Sequence, residues 1–414
     1  MRVIPEDVYN PKSYEKVRLP LDDAETLPAW CYTSEAFWRA EVDRIFMKVW
    51  NFMGRVDLIP KSGDYYAVNF AGVPVVILRD EKDVVRAFAN TCRHRGARIA
   101  DGKGNTRAFK CPYHAWVYGL DGRLKGAAGM ESTKGFDRAN YGLVPIRLET
   151  WGGYIFINFD EKAESLASYL GDLPQQLASY NCEDLVTTRV TEYDLKCNWK
   201  LFIENAMEEY HLPTVHKASL QLLEMKHGIV PVQGNWDVIR EKHDGTRALL
   251  DEDREHGFAR ITSLTGHPAE GTHYVVLYPS TMLGMTTDCV WWLELRPDGP
   301  HKTKLIVGTS FPKETVARND FEEKVRYYYK RWDRSVGEDN EISEIQHEGV
   351  SSPFAVSGRL SHLEPLVHHI ANWVADRIVG GDTFERRHDT DKTSAIALSL
   401  TKSGGGGRRS AAAE

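Results

Sequence analysis

The sequence predicts an α+β protein of two domains: an N-terminal all-β domain, then a larger domain in which helices surround an antiparallel sheet. Three observations lead there. The 414 residues exceed the size at which one hydrophobic core usually keeps growing. From about Trp50 to Asp160, short β-branched and aromatic runs alternate with Gly-containing and charged turns. After Glu161 the apolar spacing changes to three and four, and strand-like runs return only later.

In the first region, Tyr65 to Phe70, Val73 to Arg79 and Val84 to Asn90 read as strands. Ala115 to Leu120 is followed by Asp121-Gly122, a strong hairpin signal. Trp151 to Phe159 closes the region as one further strand. Beyond Glu161, Leu166, Tyr169, Leu170, Leu173 and Leu177 recur at helical spacing. Tyr274 to Thr281 and Cys289 to Arg296 are strands, and Pro297 to Pro300 turns the chain into Lys304 to Thr309, giving an antiparallel meander. Phe321 to Trp332 is an amphipathic helix with Phe321, Val325, Tyr328 and Trp332 on one face. The expected division is residues 1–44 as a segment packing with the second domain, 45–162 as the β domain, 163–402 as the second domain, and the Gly-rich 403–414 as a disordered tail.

The formal net charge of −7 and pI near 6.1 give no basic surface that would suit nucleic acid or an anionic membrane. No run of eighteen apolar residues occurs, and the N-terminus carries acids and prolines where a signal peptide needs an apolar stretch, so the expected location is the cytoplasm. Of six cysteines, Cys31, Cys182, Cys197 and Cys289 lack pairing spacing and read as buried thiols.

The other two belong to a pattern. Cys92-Arg93-His94-Arg95-Gly96 and Cys111-Pro112-Tyr113-His114 offer two thiolates and two imidazoles in matched pairs, each pair close enough for one tight turn to aim at a metal. Two Cys and two His also suit structural zinc. Zinc fingers, however, usually group Cys with Cys and His with His, whereas each pair here is mixed. That order suits a Rieske [2Fe–2S] centre, in which two Cys hold one iron and two His the other. Cys92 and Cys111 would take one iron, His94 and His114 the second.

With these strings on view, the chain resembles the Rieske non-haem iron oxygenases that hydroxylate aromatic rings, in their catalytic (alpha) subunit. Cys-x-His-Arg-Gly followed by Cys-Pro-Tyr-His-Ala-Trp carries the resemblance. Respiratory Rieske proteins differ, with an extra Cys in each ligand loop; this chain has Arg95 and Tyr113 there.

A second constellation runs from Asn198 to His216 and begins with a helical pattern in which Glu204, Glu208 and His211 fall near one face. His211 and His216 are five apart, which on an ideal helix separates them by about 140°. Pro213 disfavours helical geometry at Leu212 and lets the chain turn just after His211, so that His216 can swing back. Two His from a broken helix plus one distant carboxylate match the 2-His-1-carboxylate triad of non-haem Fe(II) oxygenases, which leaves positions open for oxygen. The same run resembles the mononuclear-iron motif of the family, implying His211 and His216 as ligands.

The resemblance also implies a late Asp as third ligand near the start of a helix. In the matching stretch Asp339 is the choice, with Glu338 as the rival, and a charged helix start is the bland alternative. The resemblance implies that Glu208 bridges a cluster histidine of a neighbouring subunit to an iron-ligand histidine, with Glu209 as a less well-directed substitute. It further implies an oligomer, a homotrimer foremost, with small β subunits compatible. No Gly-x-Gly-x-x-Gly opens a βαβ unit and no plant-type ferredoxin spacing occurs, so electrons must come from NAD(P)H through a separate reductase, with or without a ferredoxin.

The implied activity is the terminal oxygenase of a multicomponent system, using O2, Fe(II) and the cluster for mono- or dihydroxylation of an aromatic compound. The alternative is an N- or O-demethylating or quaternary-ammonium monooxygenase, since Glu at position 208 resembles members of that kind. Remoter readings are an electron carrier using only the cluster and a zinc-stabilised binding protein. Trp291, Trp292, Phe202, Met207, Leu220, Leu222 and Leu223 are candidate pocket residues. A cation would favour an aromatic cage, and an aromatic carboxylate an Arg.

Overall fold

The structure is a computed structural model and describes residues 7–382 apart from 218, 221–226 and 231–233. The Gly-rich tail, Leu222 and Leu223 therefore lie outside the described residues. Three antiparallel sheets organise the chain. The first has seven strands in the order Asn51–Arg55, Tyr154–Asn158, Pro145–Trp151, Val85–Ala89, Val73–Arg79, Asp64–Phe70 and Lys103–Asn105. A small sheet of Ala108–Lys110, Val117–Gly119 and Leu124–Gly126 completes this region. The third sheet, again of seven strands, runs Leu185–Leu195, Thr303–Pro312, Val290–Pro297, Thr281–Met285, Gly271–Leu277, Trp236–Lys242 and His227–Val230.

Strand alternation links the two halves. Along Val73–Arg79, Val75 and Ile77 enter the main core that extends through the second domain, while Val76 and Leu78 enter a smaller core with Phe88, Phe109, Trp116 and Tyr118. Successive side chains leave opposite faces of a strand. One strand therefore closes the core under the Cys/His loops and also attaches it to the rest of the protein. The N-terminal segment lies against the last helix, Pro365–Gly380: Arg18 pairs with Asp376 at 2.5 Å, and His368 Nε2 lies 2.9 Å from the Val17 carbonyl.

Several expected elements differ in extent. The single strand expected over Trp151 to Phe159 is two, because Gly152 and Gly153 adopt φ of +56° and +78° and reverse the chain in a hairpin. The run Tyr274 to Thr281 likewise divides between Gly271–Leu277 and Thr281–Met285. The helix that begins at Phe321 does not stop at Trp332 but continues as one 30-residue helix to Val350, about 45 Å long. Glu338 and Asp339 consequently sit in mid-helix, which removes the helix-start explanation for their acidity. The helix after Asn198 is shorter than expected. It spans Trp199–Asn205, capped by the Asn198 side chain, which accepts from the Lys200 N–H at 3.1 Å. Glu204, Glu208 and His211 therefore do not share a face.

Candidate functional site

The Cys/His loops are built alike. Cys92 N–H donates to Ala97 O at 2.8 Å and Gly96 N–H to Cys92 O at 2.9 Å; Cys111 N–H donates to Trp116 O at 2.8 Å and Ala115 N–H to Cys111 O at 3.1 Å. In both, the residue four after the Cys takes a left-handed conformation, Gly96 at φ +75° and Ala115 at +57°. Glycine meets this without a Cβ penalty, and Ala115 tolerates it at a cost of about 1–2 kcal/mol. The paired turns place His94 and His114 edge to face, ring centroids 4.5 Å apart, with His94 stacked on Trp116 at 4.8 Å.

Both cysteines are buried, and Nδ1 of His94 and of His114 is buried without a hydrogen-bond partner. Such groups are ordinarily satisfied, so a donor set of this kind calls for a metal. A single tetrahedral ion with bonds of about 2.0–2.3 Å would draw its donors close together. Among the described residues, one group of three or more His, Cys, Asp or Glu has donor atoms all within 4.8 Å, and it is not this one. The two-plus-two set, one Cys and one His in each loop, is the donor order of a two-iron Rieske cluster. Sequence reasoning missed Tyr118: it accepts from Arg93 N–H at 2.9 Å, leaving its own O–H to face Cys92 Sγ at 3.2 Å.

The compact group is His211, His216 and Asp339. His211 and His216 flank a one-turn helix, Leu212–Val215, rather than straddling a break after His211. The chain leaves helical geometry earlier, between Asn205 and His211, and Pro213 sits in the first turn, where its missing N–H costs nothing. Asp339 Oδ1 lies 3.0 Å from His216 Nε2 and 3.6 Å from His211 Nε2, yet forms no hydrogen bond. Three donor atoms thus face a shared point rather than one another. Burial opposes a charge on His216, but Asp339 and Glu338 outweigh it and raise its pKa, so this point favours positive charge.

Glu338 lies on the opposite side of His216, its Oε2 2.7 Å from Nδ1, and accepts from Ser219 Oγ. Glu208 takes the corresponding place at His211: Oε1 is 2.6 Å from Nδ1, and Oε2 accepts from the His211 backbone N–H at 3.0 Å. Glu209 points elsewhere, into contact with Glu241. Its pKa is pushed up to about 8, chiefly by burial and then by Glu241.

A cavity adjoins the three donors and is walled by Phe202, Tyr274, Trp291 and Trp332, with Glu241 and Arg331 among its polar residues. Leu220 also lines it. Met207 and Trp292 do not: both are buried in the main core, Trp292 against Phe52 at 5.4 Å. Trp291 and Trp292 leave opposite faces of their strand.

A β domain presenting a two-plus-two Cys/His set, joined to an α+β domain with a 2-His-1-carboxylate group and a cavity, defines a two-centre iron oxygenase. Comparison with known proteins agrees. The family description "Rieske [2Fe-2S] domain" matches residues 49–137 and "Ring hydroxylating alpha subunit (catalytic domain)" residues 182–380, together well over half of the chain. The chloroplastic choline monooxygenase of Atriplex hortensis is 29% identical over 365 residues, covering 86% of this chain and 78% of the relative. The glycine betaine monooxygenase oxygenase subunit of Pseudomonas aeruginosa is 27% identical over 399 residues, covering 89% and 92%. Among solved structures, the quaternary ammonium Rieske monooxygenase CntA with L-carnitine superposes with a TM-score of 0.71 at 24% identity, covering 87% and 99%. A naphthalene 1,2-dioxygenase superposes with a TM-score of 0.73 at 17% identity, covering 89% and 95%.

The chain belongs to the Rieske non-haem iron oxygenases, as a terminal catalytic (alpha) subunit. Its cofactors are accordingly a [2Fe–2S] cluster and a mononuclear iron, with O2 as co-substrate and electrons delivered by a reductase. Among the described residues no helix is long and apolar enough to cross a membrane.

Proposed function

We propose that the chain is a monooxygenase of a small quaternary or N-methylated ammonium compound, rather than of an aromatic ring. The observation that carries this is the cavity wall beside His211, His216 and Asp339, where aromatic faces and carboxylates stand together. Trp291 lies 4.3 Å from Trp332 and 6.1 Å from Tyr274. A cation over such faces gains about 0.5–2 kcal/mol. The names of the choline and glycine betaine relatives support the same class. The aromatic reading has the ring-hydroxylating name of the catalytic-domain family and a structural likeness at 17% identity, which concerns the fold.

In this reading Cys92, Cys111, His94 and His114 hold the cluster, and His211, His216 and Asp339 hold the iron. When bound, the two groups supply electrons and activate oxygen; the chain does the rest. Glu338 and Ser219 fix the His216 ring from its far side. Glu208 holds His211 and, in a homotrimer, would reach His114 of a neighbouring copy, giving electrons a short route between subunits. Phe202, Trp291 and Trp332 exclude water around the reacting carbon. A cytoplasmic location and an NAD(P)H-dependent reductase complete the proposal.

The test is a substrate panel with a reconstituted reductase, scored by product mass, because uncoupled oxygen uptake would mislead. Product from choline, glycine betaine or carnitine, with none from naphthalene or benzoate, is the expected result. The reverse pattern would restore the aromatic reading.

A further inference from the structure

Arg331 is a buried cation that forms no ion pair among the described residues. It is 5% exposed, lines the cavity, and has no carboxylate partner among the described residues. Its contacts are all neutral: Nε donates to the Arg247 carbonyl at 3.2 Å, Nη1 to Ser335 Oγ at 2.5 Å, and the guanidinium lies 4.0 Å from the Trp332 ring centroid. A guanidinium has five N–H donors, and these bonds use two.

The neighbouring acids are committed elsewhere. Glu241 Oε2 is engaged by Arg247 Nε at 3.1 Å, Asp251 by Arg254 at 2.5 Å, and Asp339 faces the two imidazoles. Burial lowers the Arg331 pKa, against the opposing pull of Tyr274, Asp339 and Glu241, none of which pairs with it directly. Leaving a charge buried and unpaired is costly enough that buried charges are ordinarily paired or ligated. Something that enters the cavity is the available partner.

Its position fits a two-ended ligand. Arg331, Ser335 and Asp339 follow at intervals of four on the long helix and so share one face. Eight residues advance about 12 Å along the axis, with Trp332 at the Arg331 end, against the guanidinium. We propose that Arg331 binds a carboxylate on the substrate, so that the enzyme takes betaine-type zwitterions, an N-methylated ammonium joined to a carboxylate, in preference to ammonium alcohols. The proposal rests on the ammonium reading above and narrows it: the ammonium end lies toward the iron ligands, and the guanidinium holds the other end.

The experiment is calorimetric titration of the iron-loaded protein with glycine betaine, L-carnitine and choline, repeated on Arg331→Gln and Arg331→Lys. The cluster's visible spectrum serves as the check on folding. At least one zwitterion should bind the wild type tenfold or more tightly than choline. Arg331→Gln should lose that preference by weakening the zwitterion about tenfold or more while leaving choline unchanged, and Arg331→Lys should restore part of it. Equal wild-type affinity for choline and the zwitterions overturns the proposal while leaving the ammonium reading intact, and that comparison needs no variant. Equal weakening of all three ligands in Arg331→Gln also overturns it. Binding of benzoate with none of the ammonium compounds would overturn both.

Discussion

The carboxylate of Glu338 meets Nδ1 of His216 at 2.7 Å, on the side of the ring turned away from Asp339. Two adjacent acids thus grip one imidazole from opposite edges, since Asp339 Oδ1 lies 3.0 Å from Nε2. Only the inner one can share an ion with His211. Asp339→Ala should therefore abolish mononuclear iron while the cluster spectrum remains. Glu338→Gln should keep iron but weaken its retention by roughly 10–100-fold, as for other groups that orient a metal-bound histidine. Iron analysis after dialysis against a chelator distinguishes them, and loss of iron only in the Glu338 variant would exchange their roles.

Tyr118 is placed to tune the potential of a cluster held by Cys92. Its hydroxyl accepts from Arg93 N–H and faces the Cys92 sulfur at 3.2 Å. A hydrogen bond to a cluster sulfur favours the reduced form. Tyr118→Phe should lower the reduction potential by roughly 40 mV, the one-electron equivalent of about 1 kcal/mol. Spectroelectrochemistry measures this, and an unchanged potential would show that the contact does not reach the cluster's electronics.

Glu208 holds His211 through Oε1 at 2.6 Å. If it also spans to a neighbouring copy, Glu208→Gln should retain both metal centres and slow single-turnover oxidation of the cluster roughly 10–100-fold. Normal single-turnover kinetics would remove it from the electron path.

Glu204 should make stability depend on pH. It is buried with the Tyr32 hydroxyl 2.9 Å from Oε1, and burial pushes its pKa up to about 8 from an ordinary 4.5. The folded state therefore binds this proton more tightly than the unfolded state does, and stability falls as pH rises from about 4.5 through about 8. Urea unfolding of the apoprotein should give a lower midpoint at pH 8 than at pH 6. Glu204→Gln, which mimics the protonated acid, should flatten that dependence, and an unaltered slope would assign it to other groups.

The β domain was legible because its signals are local. Period-two runs, the Asp121-Gly122 turn and the two Cys/His strings each depend on a few consecutive residues, and the family matches and sheet topology agree with them. The choice of His211 and His216 also came from a local motif. The path between them did not: Pro213 was expected to break the helix after His211, yet the helix ends at Asn205 and a new turn starts at Leu212. Packing of the short segments on the long helix decides this, and periodicity carries no information about it.

The sequence by itself offered side chains suited to metal binding and implied two kinds of centre, because ligand type and spacing are properties of the chain. Only the tertiary structure decided which carboxylate faces the histidines, which Trp of an adjacent pair lines the cavity, and that Arg331 forms no ion pair among the described residues. These depend on residues more than a hundred positions apart meeting in space.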